Sequence, residues 1–322
     1  MKFVLLNSNG VYSHKIVFDG ICEAFQQLNL EFIEVNINSQ DNGTIEKYNP
    51  DFLFINTPLS PHFRVWKKYR NKRVIAYDTE GLYEPINVRD SMLYCDYMAT
   101  VDKRGIQYFQ EFADNKGIKC KLYHMPLGFS PSAYKFQDVS EDYKADVILA
   151  GAIFNRRRTV IDNLYDLKDK ISFRVITPHD WIGRLIRKDG IKFLHASHVS
   201  VEELGKYYSG SKIIICVNRD YDPANDTKIQ STTPGRVFQE TACRRMVMID
   251  RSRLEIFDYF VNGKEIVTFD ENDPKDLQDK ILYYLEHEKE REEIAHNGYV
   301  RTMKENMWKH RIEKLLQFIN GS

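Results

Sequence analysis

The sequence predicts an α/β protein of two domains, each built on a parallel sheet that helices cover. Three observations lead to this prediction. The chain of 322 residues is longer than one ordinary hydrophobic core supports. Short apolar runs alternate with segments of helical periodicity, and this alternation occurs twice. Between the two series, 129–144 follows neither period, so we expect domains over 1–135 and 145–304, a linker between them and a last helix over 305–322.

In the first series, each predicted strand is a run of mainly apolar residues, as expected when both faces of a parallel sheet are buried. Each predicted helix has apolar residues at helical spacing. In chain order, the predicted elements are strand Phe3–Asn7, helix Ser13–Leu28, strands Glu31–Ile37, Asp51–Asn56, Arg73–Asp78 and Tyr97–Asp102, helix Lys103–Phe112 and strand Lys121–Pro126.

The second series repeats the same rhythm and begins with a strongly apolar strand. Its later part contains one long helical stretch and then a last helix with apolar residues at helical spacing. In order, the predicted elements are strand Asp146–Ile153, helix Arg156–Leu167, strand Phe173–Thr177, helix Val201–Tyr208, strand Lys212–Val217, a helix after Pro234, strands Met246–Asp250 and Glu265–Phe269, helix Pro274–Lys304 and helix Asn306–Ile319.

The composition excludes several classes of protein. The 46 basic and 46 acidic residues cancel, so no global field favours nucleic acid or anionic lipid. Five cysteines without a C-x-x-C pair argue against a disulfide framework or a zinc site. The apolar run at the start of the chain is too short for an export signal, and no stretch is long enough to span a membrane. We therefore expect a cytoplasmic protein.

The stretch 231–242 has the features of a helix that begins at an anion site. Thr232 and Thr233 are residue types that cap helices, and Gly235 permits close approach of a ligand or another backbone. The first N–H groups of a helix have no partner within the helix and favour negative charge. Arg236 and Glu240 lie one turn apart on one face. A guanidinium group there suits phosphate oxygens, and the carboxylate suits two ribose hydroxyls.

Several separate stretches resemble the GT-B glycosyltransferases, and most closely the CgeB-type (spore maturation protein) glycosyltransferase-like group. The resemblance implies two Rossmann-like domains facing a cleft, with the C-terminal helix crossing back to the N-terminal domain. It also implies a nucleotide-sugar donor in the second domain and an acceptor at the first. The stretches that carry it are Ala145–Gly151, Arg156–Arg158, Val199–Leu204, Ser211–Ile215, Gly235–Cys243 and Leu277–Arg311, with less specific similarity at Ala76–Glu80, Cys95–Tyr97 and Met125–Gly128.

Carried over to this chain, the resemblance implies a role for each residue of the donor site. Glu240 would bind the ribose and Arg236 the diphosphate. Two positions differ from the wider family pattern, because Thr232 stands where that pattern has a second glutamate and Arg244 stands where it has a glycine. The other implied donor contacts are Thr232, Thr233 and Gly235 at the phosphates, Gly151 as room for the donor, and one arginine among Arg156, Arg157 and Arg158 at the leaving diphosphate. Of these, Arg157 is preferred because Val160, Ile161 and Leu164 would lie on the core face behind it.

The catalytic group is open among three residues that follow predicted strands or begin a helix. Asp78 and Glu80 come at the carboxyl end of a strand, and His14 follows the first strand. Any of them could act as a general base on an acceptor hydroxyl. We expect a UDP-sugar as donor, no cofactor and no metal requirement, since the histidines show no metal-ligand spacing.

Other functions remain open at this point. The same fold could serve an inactive nucleotide-binding or spore-surface assembly protein, or a nucleotide-sugar epimerase. A dinucleotide oxidoreductase ranks last because no G-x-G-x-x-G follows the first strand. The acceptor is unidentified. Neutral charge argues against nucleic acid, although Lys67, Lys68, Arg70, Lys72 and Arg73 could follow a phosphate backbone.

Overall fold

The computed structural model describes residues 1–7, 12–36, 43–56, 68–69, 71–79, 85–178, 192–195, 199–219 and 232–321. The chain divides into two compact units. Unit 1 comprises Met1–Gly128, Asp222–Thr232 and Met307–Ser322, and unit 2 comprises Phe129–Tyr221 and Thr233–Asn306.

Twelve strands are seen in the described part of the chain. The strands are β1 Lys2–Asn7, β2 Glu31–Asn36, β3 Phe52–Asn56, β4 Arg73–Asp78, β5 Tyr97–Thr100, β6 Lys121–His124, β7 Ala145–Ala150, β8 Phe173–Thr177, β9 Lys192–His195, β10 Ser211–Cys216, β11 Met246–Asp250 and β12 Val267–Phe269.

Eleven α-helices are seen in the same residues. The helices are α1 Tyr12–Gln27, α2 Thr44–Tyr48, α3 Pro85–Met92, α4 Gly105–Lys116, α5 Asn155–Leu164, α6 Val201–Gly210, α7 Arg236–Ala242, α8 Ile256–Tyr259, α9 Pro274–Glu286, α10 Glu288–Glu305 and α11 Trp308–Gly321.

Unit 1 contains a six-stranded parallel sheet in the order β2-β1-β3-β4-β5-β6. Alternate residues of β1 enter different core clusters, with Phe3 and Leu5 in one and Val4 and Leu6 in the other. Both faces of the sheet are therefore covered, as the apolar runs predicted. The last helix, α11, packs against α1 and contributes Trp308 to the first of these clusters.

Unit 2 contains a second six-stranded parallel sheet, in the order β12-β11-β10-β7-β8-β9. Numbered within the unit, this order is 6-5-4-1-2-3, the arrangement of a Rossmann fold. The chain starts at β7 in the middle, builds outward through β8 and β9, and then continues on the other side with β10. The predicted fold class of two α/β Rossmann-like units is confirmed.

The long predicted helix Pro274–Lys304 is two helices. The break falls at His287, whose backbone (φ −101°, ψ 65°) is not helical. Its ring stacks on Tyr283 with centroids 3.8 Å apart, and its Nδ1 lies 2.7 Å from the Tyr283 carbonyl oxygen. Residues 286–293 contain no Gly or Pro and consist mainly of Glu, Lys and Arg, which favour helix, and this is why the pattern alone predicted one helix.

In the described part of the chain, none of the helices combines the length and the apolar character that crossing a bilayer requires.

Candidate functional site

The candidate site lies at the carboxyl edge of the unit 2 sheet, between β7 and β10. At this place the strand order reverses direction, and such a switch point leaves a crevice in which open α/β sheets bind ligands. Gly151 follows β7 and Val217 follows β10. Two helices bring arginines to the same point, since α5 carries Arg157 and α7 carries Arg236.

Two guanidinium groups converge beside Gly151. Arg236 donates from Nη1 to the Ala150 carbonyl at 2.6 Å and from Nη2 to the Val217 carbonyl at 2.8 Å. Arg157 donates to the same Val217 carbonyl at 3.2 and 3.3 Å and to Ala152 at 2.7 Å. Gly151 has φ +114°, and a Cβ there would lie 2.7 Å from Arg157 Nη1 and 2.8 Å from Arg236 Nη1. The missing side chain thus makes room for the two arginines.

Both arginines remain cations. Burial, with a further contribution from Arg236, lowers the pKa of Arg157 to about 9, which still leaves it protonated at neutral pH. Burial also lowers the pKa of Arg236, but the Cys216 thiol and the Glu240 carboxylate more than offset this, so the net direction is upward. Two neighbouring cations held by neutral carbonyls form an electropositive centre that suits an anion.

Glu240 is the carboxylate of this centre and is fully buried. Its Oε1 lies 3.7 Å from Arg236 Nε, the ion pair expected from the spacing. Among the described residues, none donates an N–H or O–H hydrogen bond to either carboxylate oxygen. Burial raises the pKa of Glu240, opposed by Arg236, the Cys216 thiol and Arg157. A buried carboxylate without N–H or O–H donors lowers the stability of the fold, and hydroxyl donors from a ligand would offset that loss.

Arg156 lies at the same edge but has a different partner. Its Nη1 is 3.5 Å from Asp250 Oδ1 and donates to Ser252 Oγ at 2.7 Å. Asp250, at the end of β11, also accepts from the backbone N–H of Asn218 at 2.5 Å and from its amide group at 2.7 Å. This network ties the ends of β10 and β11 together, so Arg156 is anchored by a carboxylate that Arg157 lacks.

Sequence reasoning missed two arginines of this edge. Arg219 follows β10 and lies over the Phe154 ring at 5.1 Å, and the Arg157 guanidinium is 5.5 Å from the same ring. Arg253 follows β11 and donates to the Arg219 carbonyl at 3.2 Å. Both come directly after predicted strands, so the rule that ligands bind beyond the carboxyl ends would have found them. The arginine cluster comprises Arg156, Arg157, Arg219, Arg236 and Arg253.

The start of α7 differs from the prediction. The helix begins at Arg236, the residue before it is Gly235 with helical dihedrals, and no side chain caps it. Thr233 is buried, and its hydroxyl has no hydrogen-bond partner within the described ranges, so it does not cap the helix. Thr232 is buried and belongs to unit 1. The turn is closed instead by backbone bonds, from Val237 to Pro234 at 3.0 Å and from Phe238 to Gly235 at 3.2 Å.

The proposed catalytic residues belong to unit 1. Asp78 ends β4, is buried, and accepts a hydrogen bond of 3.2 Å from the Thr100 hydroxyl at the end of β5. Its position at the carboxyl edge is the predicted one. Glu80 lies outside the described residues, and His14 lies in α1 with its side chain outside them.

A cavity of about 990 Å³ lies at the opposite, amino edge of the unit 2 sheet. The first residues of β7, β10 and β11 line it, together with five acidic and five basic side chains. Several of these are already paired, such as Lys212 with Asp146 at 2.7 Å. Because its charges balance, the cavity has no preference for an anion, and the chemistry favours the carboxyl edge in spite of the volume.

One sequence signal that bears on metal binding was also missed. Asp220 and Asp222 form an Asp-X-Asp triplet shortly after β10, and paired carboxylates of this kind suit hard divalent cations. The triplet lies outside the described residues. Within the described residues, no group of three or more metal-binding side chains is found.

Comparison with known proteins agrees with this architecture. The glycosyl transferase-like family matches residues 156–317, which include α7, all of α5 except its first residue, and the whole arginine cluster. The chain is 24% identical to spore protein CgeB of Bacillus subtilis (strain 168) over 318 residues, covering 94% of both proteins.

Solved structures share the fold at low sequence identity. HepE of Anabaena, in complex with UDP-glucose, is 9% identical and matches with a TM-score of 0.69 over all of both chains. An α-glucosyltransferase in complex with UDP and a 13-mer DNA containing an HMU base is 12% identical, with a TM-score of 0.74 over 99% of both chains. Since the family match spans half of the sequence and both units have the expected fold, the chain belongs to the glycosyl transferase-like family and has the GT-B fold.

Proposed function

We propose that this protein transfers a sugar from a UDP-sugar to an acceptor, and that the donor binds at the arginine cluster of unit 2. The observation that carries the proposal is the pair Arg157 and Arg236, which meet beside Gly151 at the switch point of the sheet. Support for uridine as the base comes from HepE and the α-glucosyltransferase, whose structures contain UDP-glucose and UDP.

The geometry suits the chemistry of the leaving group. Glycosyl transfer builds negative charge on the departing diphosphate, and fixed cations at that place stabilise the transition state. Arg236 and Arg157 are held by the carbonyls of Ala150, Ala152 and Val217, so little reorganisation is needed. Glu240 would accept the two ribose hydroxyls, which supply the donors that its oxygens lack.

We propose that these arginines meet the charge of the diphosphate without a divalent metal. The alternative is an ion held by Asp220 and Asp222. Turnover that persists in EDTA supports the arginine proposal, whereas loss of turnover that Mg²⁺ or Mn²⁺ restores contradicts it.

For the acceptor we propose the carboxyl edge of unit 1, with Asp78, Glu80 or His14 as the base. Of these, Asp78 has a described side chain, next to Thr100 at the strand ends. If Asp78 is the base, Asp78→Asn lowers kcat while UDP affinity stays unchanged. If kcat is unaffected, Asp78 has no part in proton transfer.

Calorimetric titration with UDP, GDP, CDP and dTDP tests the donor site. We expect the tightest binding for UDP, and a loss of roughly 10- to 100-fold in Arg236→Ala, as charge-assisted hydrogen bonds are worth about 1.5–3 kcal/mol. Glu240→Gln should also weaken binding. The matched control is Arg158→Ala, because Arg158 is exposed in the same triplet and pairs with Asp162 at 3.8 Å. Unchanged UDP affinity in both site variants would reject this location.

Turnover distinguishes the remaining functions. Release of UDP from one of a panel of UDP-sugars, with the sugar recovered on an acceptor or on water, supports transfer. Conversion of the donor to an isomeric UDP-sugar without acceptor indicates an epimerase. Binding without turnover of any donor indicates a nucleotide-binding protein.

A further inference from the structure

Cys95 and Cys120 form a close pair of thiols in unit 1. Their sulfur atoms are 3.4 Å apart. Cys95 lies two residues before β5 and Cys120 one residue before β6, and these two strands pair directly, with Tyr97 beside Lys121. The register of the sheet, and not a flexible loop, therefore brings the two sulfur atoms together.

The surroundings of the pair limit which reagents reach it. Cys95 is 9% exposed and Cys120 is 6% exposed, and both belong to the same apolar cluster as Met98 and Phe109. Burial, the Cys120 thiol and Asp96 raise the pKa of Cys95 well above its ordinary value. Cys95 thus rests as a thiol at neutral pH, and a small neutral oxidant reaches the pair more readily than a bulky disulfide does.

We propose that Cys95 and Cys120 form a redox-responsive site that hydrogen peroxide converts to a disulfide. One thiol, as its thiolate, attacks the peroxide, so that the O–O bond breaks and a sulfenic acid and one water form. The second thiol then attacks the sulfenic sulfur, the S–S bond forms and a second water leaves. Overall, two thiols lose two electrons and two protons, and one peroxide is reduced to two waters.

The disulfide would join the amino ends of β5 and β6 across 25 residues of chain that include β5 and α4. A cross-link across such a segment restricts the unfolded chain, so oxidation should stabilise unit 1. The amino ends of the strands lie opposite the carboxyl edge that holds Asp78 and Thr100. We therefore expect the cross-link to be visible in stability and mass, independently of sugar transfer.

The full-length protein is treated with hydrogen peroxide, quenched with catalase, unfolded and alkylated. We expect five alkylated cysteines before treatment and three after it, a mass loss of two hydrogens and a peptide linked through Cys95 and Cys120, all reversed by dithiothreitol. The unfolding midpoint of unit 1 should rise on the order of 5–10 °C. Five alkylated cysteines, irreversible oxidation of either residue or a different linkage would overturn the proposal.

Cys22→Ser is the matched control, because Cys22 is also buried in unit 1. This variant should still lose two alkylation sites on oxidation. After oxidation, Cys120→Ser should keep both hydrogens and should not yield the linked peptide. If Cys120→Ser forms a disulfide between Cys95 and another cysteine, the specificity claimed for this pair is wrong. The wild-type measurement stands even if a variant fails to fold.

Discussion

Glu240 combines full burial with two carboxylate oxygens that receive no N–H or O–H hydrogen bond from the part of the chain that the structure describes. Its pKa is raised by burial, so the fold favours its protonated form. For an acid with a raised pKa, the folded state binds protons more tightly, and stability falls as pH rises through the folded pKa. The ionised carboxylate thus costs stability at neutral pH, a cost that a donor-binding residue would carry.

We predict that Glu240→Gln stabilises the free protein by about 1 kcal/mol at pH 7, because an uncharged amide replaces a buried carboxylate. The gain should shrink as the pH falls toward 4.5, the ordinary pKa of the residue, since the wild-type carboxyl is then protonated. Urea unfolding of both proteins between pH 5 and 8 measures the difference. A variant less stable than wild type at pH 7 would mean that Glu240 is chiefly a structural partner of Arg236.

Gly151 has a backbone conformation that other residues rarely adopt, and its Cβ position is filled by two guanidinium groups. We predict that Gly151→Ala costs about 2–3 kcal/mol and weakens UDP binding, because it adds backbone strain and displaces Arg157 and Arg236. Gly263→Ala is the control, since Gly263 also has positive φ (+74°) but open space around it. Equal losses of stability in both variants would show that strain alone matters at Gly151.

The sequence predicts the individual residues of the site unevenly. Arg236 and Glu240 follow from their spacing on one helix, and Arg157 follows from its position before the core residues Val160 and Ile161. The convergence of Arg157 and Arg236 on Val217 does not follow, because it depends on which strand lies next to β7. Only the sheet order supplies that information.

At the level of elements, α10 packs against α7. The Thr241 and Thr302 hydroxyls are 2.7 Å apart. Gly298 in α10 approaches so closely that a Cβ there would overlap the Glu265 carbonyl oxygen. A Cβ on Gly298 would also lie 3.6 Å from Thr241 Cγ2, so the small residue lets α10 lie close both to Glu265 and to the helix that carries Arg236 and Glu240.

We predict that Gly298→Ala destabilises unit 2 by about 1–2 kcal/mol. Alanine improves helix propensity by about 1 kcal/mol, but overlap with a backbone atom costs more, since α10 must shift. Thermal unfolding measures the effect. The exposed substitution Glu293→Ala in the same helix is the control and should change stability by less than about 0.5 kcal/mol. A stabilised Gly298→Ala would mean that the contact yields without cost.

Element boundaries illustrate what pattern reasoning finds and misses. Strands β4, β8 and β11 match the predicted bounds, because each is mainly apolar and ends at a polar or charged residue. The short helices α2, α3 and α8 were missed, since four to eight residues show too little periodicity. Arg244 has φ +53°, a left-handed conformation for which a glycine is the residue best suited at the end of a helix. In this chain its guanidinium lies 4.3 Å from the Tyr299 ring.

At the level of the whole molecule, unit 1 is completed by the C-terminal helix α11. Trp308, Ile312, Leu315 and Ile319 are each at most 3% exposed. Burial of four such side chains contributes roughly 6–12 kcal/mol, which is comparable to the stability of an entire domain. The two-unit organisation was predictable from the repeated alternation of strands and helices. The free energy that α11 contributes was not, because it depends on how the helix packs.

We predict that truncation after Asn306 abolishes the cooperative unfolding transition of unit 1 while unit 2 keeps its own. Differential scanning calorimetry distinguishes the two transitions, and UDP binding reports on unit 2. The substitution Gln317→Ala, at an exposed position of α11, should leave both transitions in place. Two unchanged transitions in the truncated protein would mean that α11 contributes little to unit 1.

The course of the chain also has a consequence for proteolysis. The polypeptide leaves unit 1 after Gly128 and ends in it with α11, so both segments of unit 2 lie, in sequence, between two parts of one core. A protease that cuts once between 129 and 144 would break the backbone, but the two fragments would stay associated. The fragment that carries unit 2 would stay attached through its own C-terminal helix, and dissociation would require unfolding the N-terminal piece.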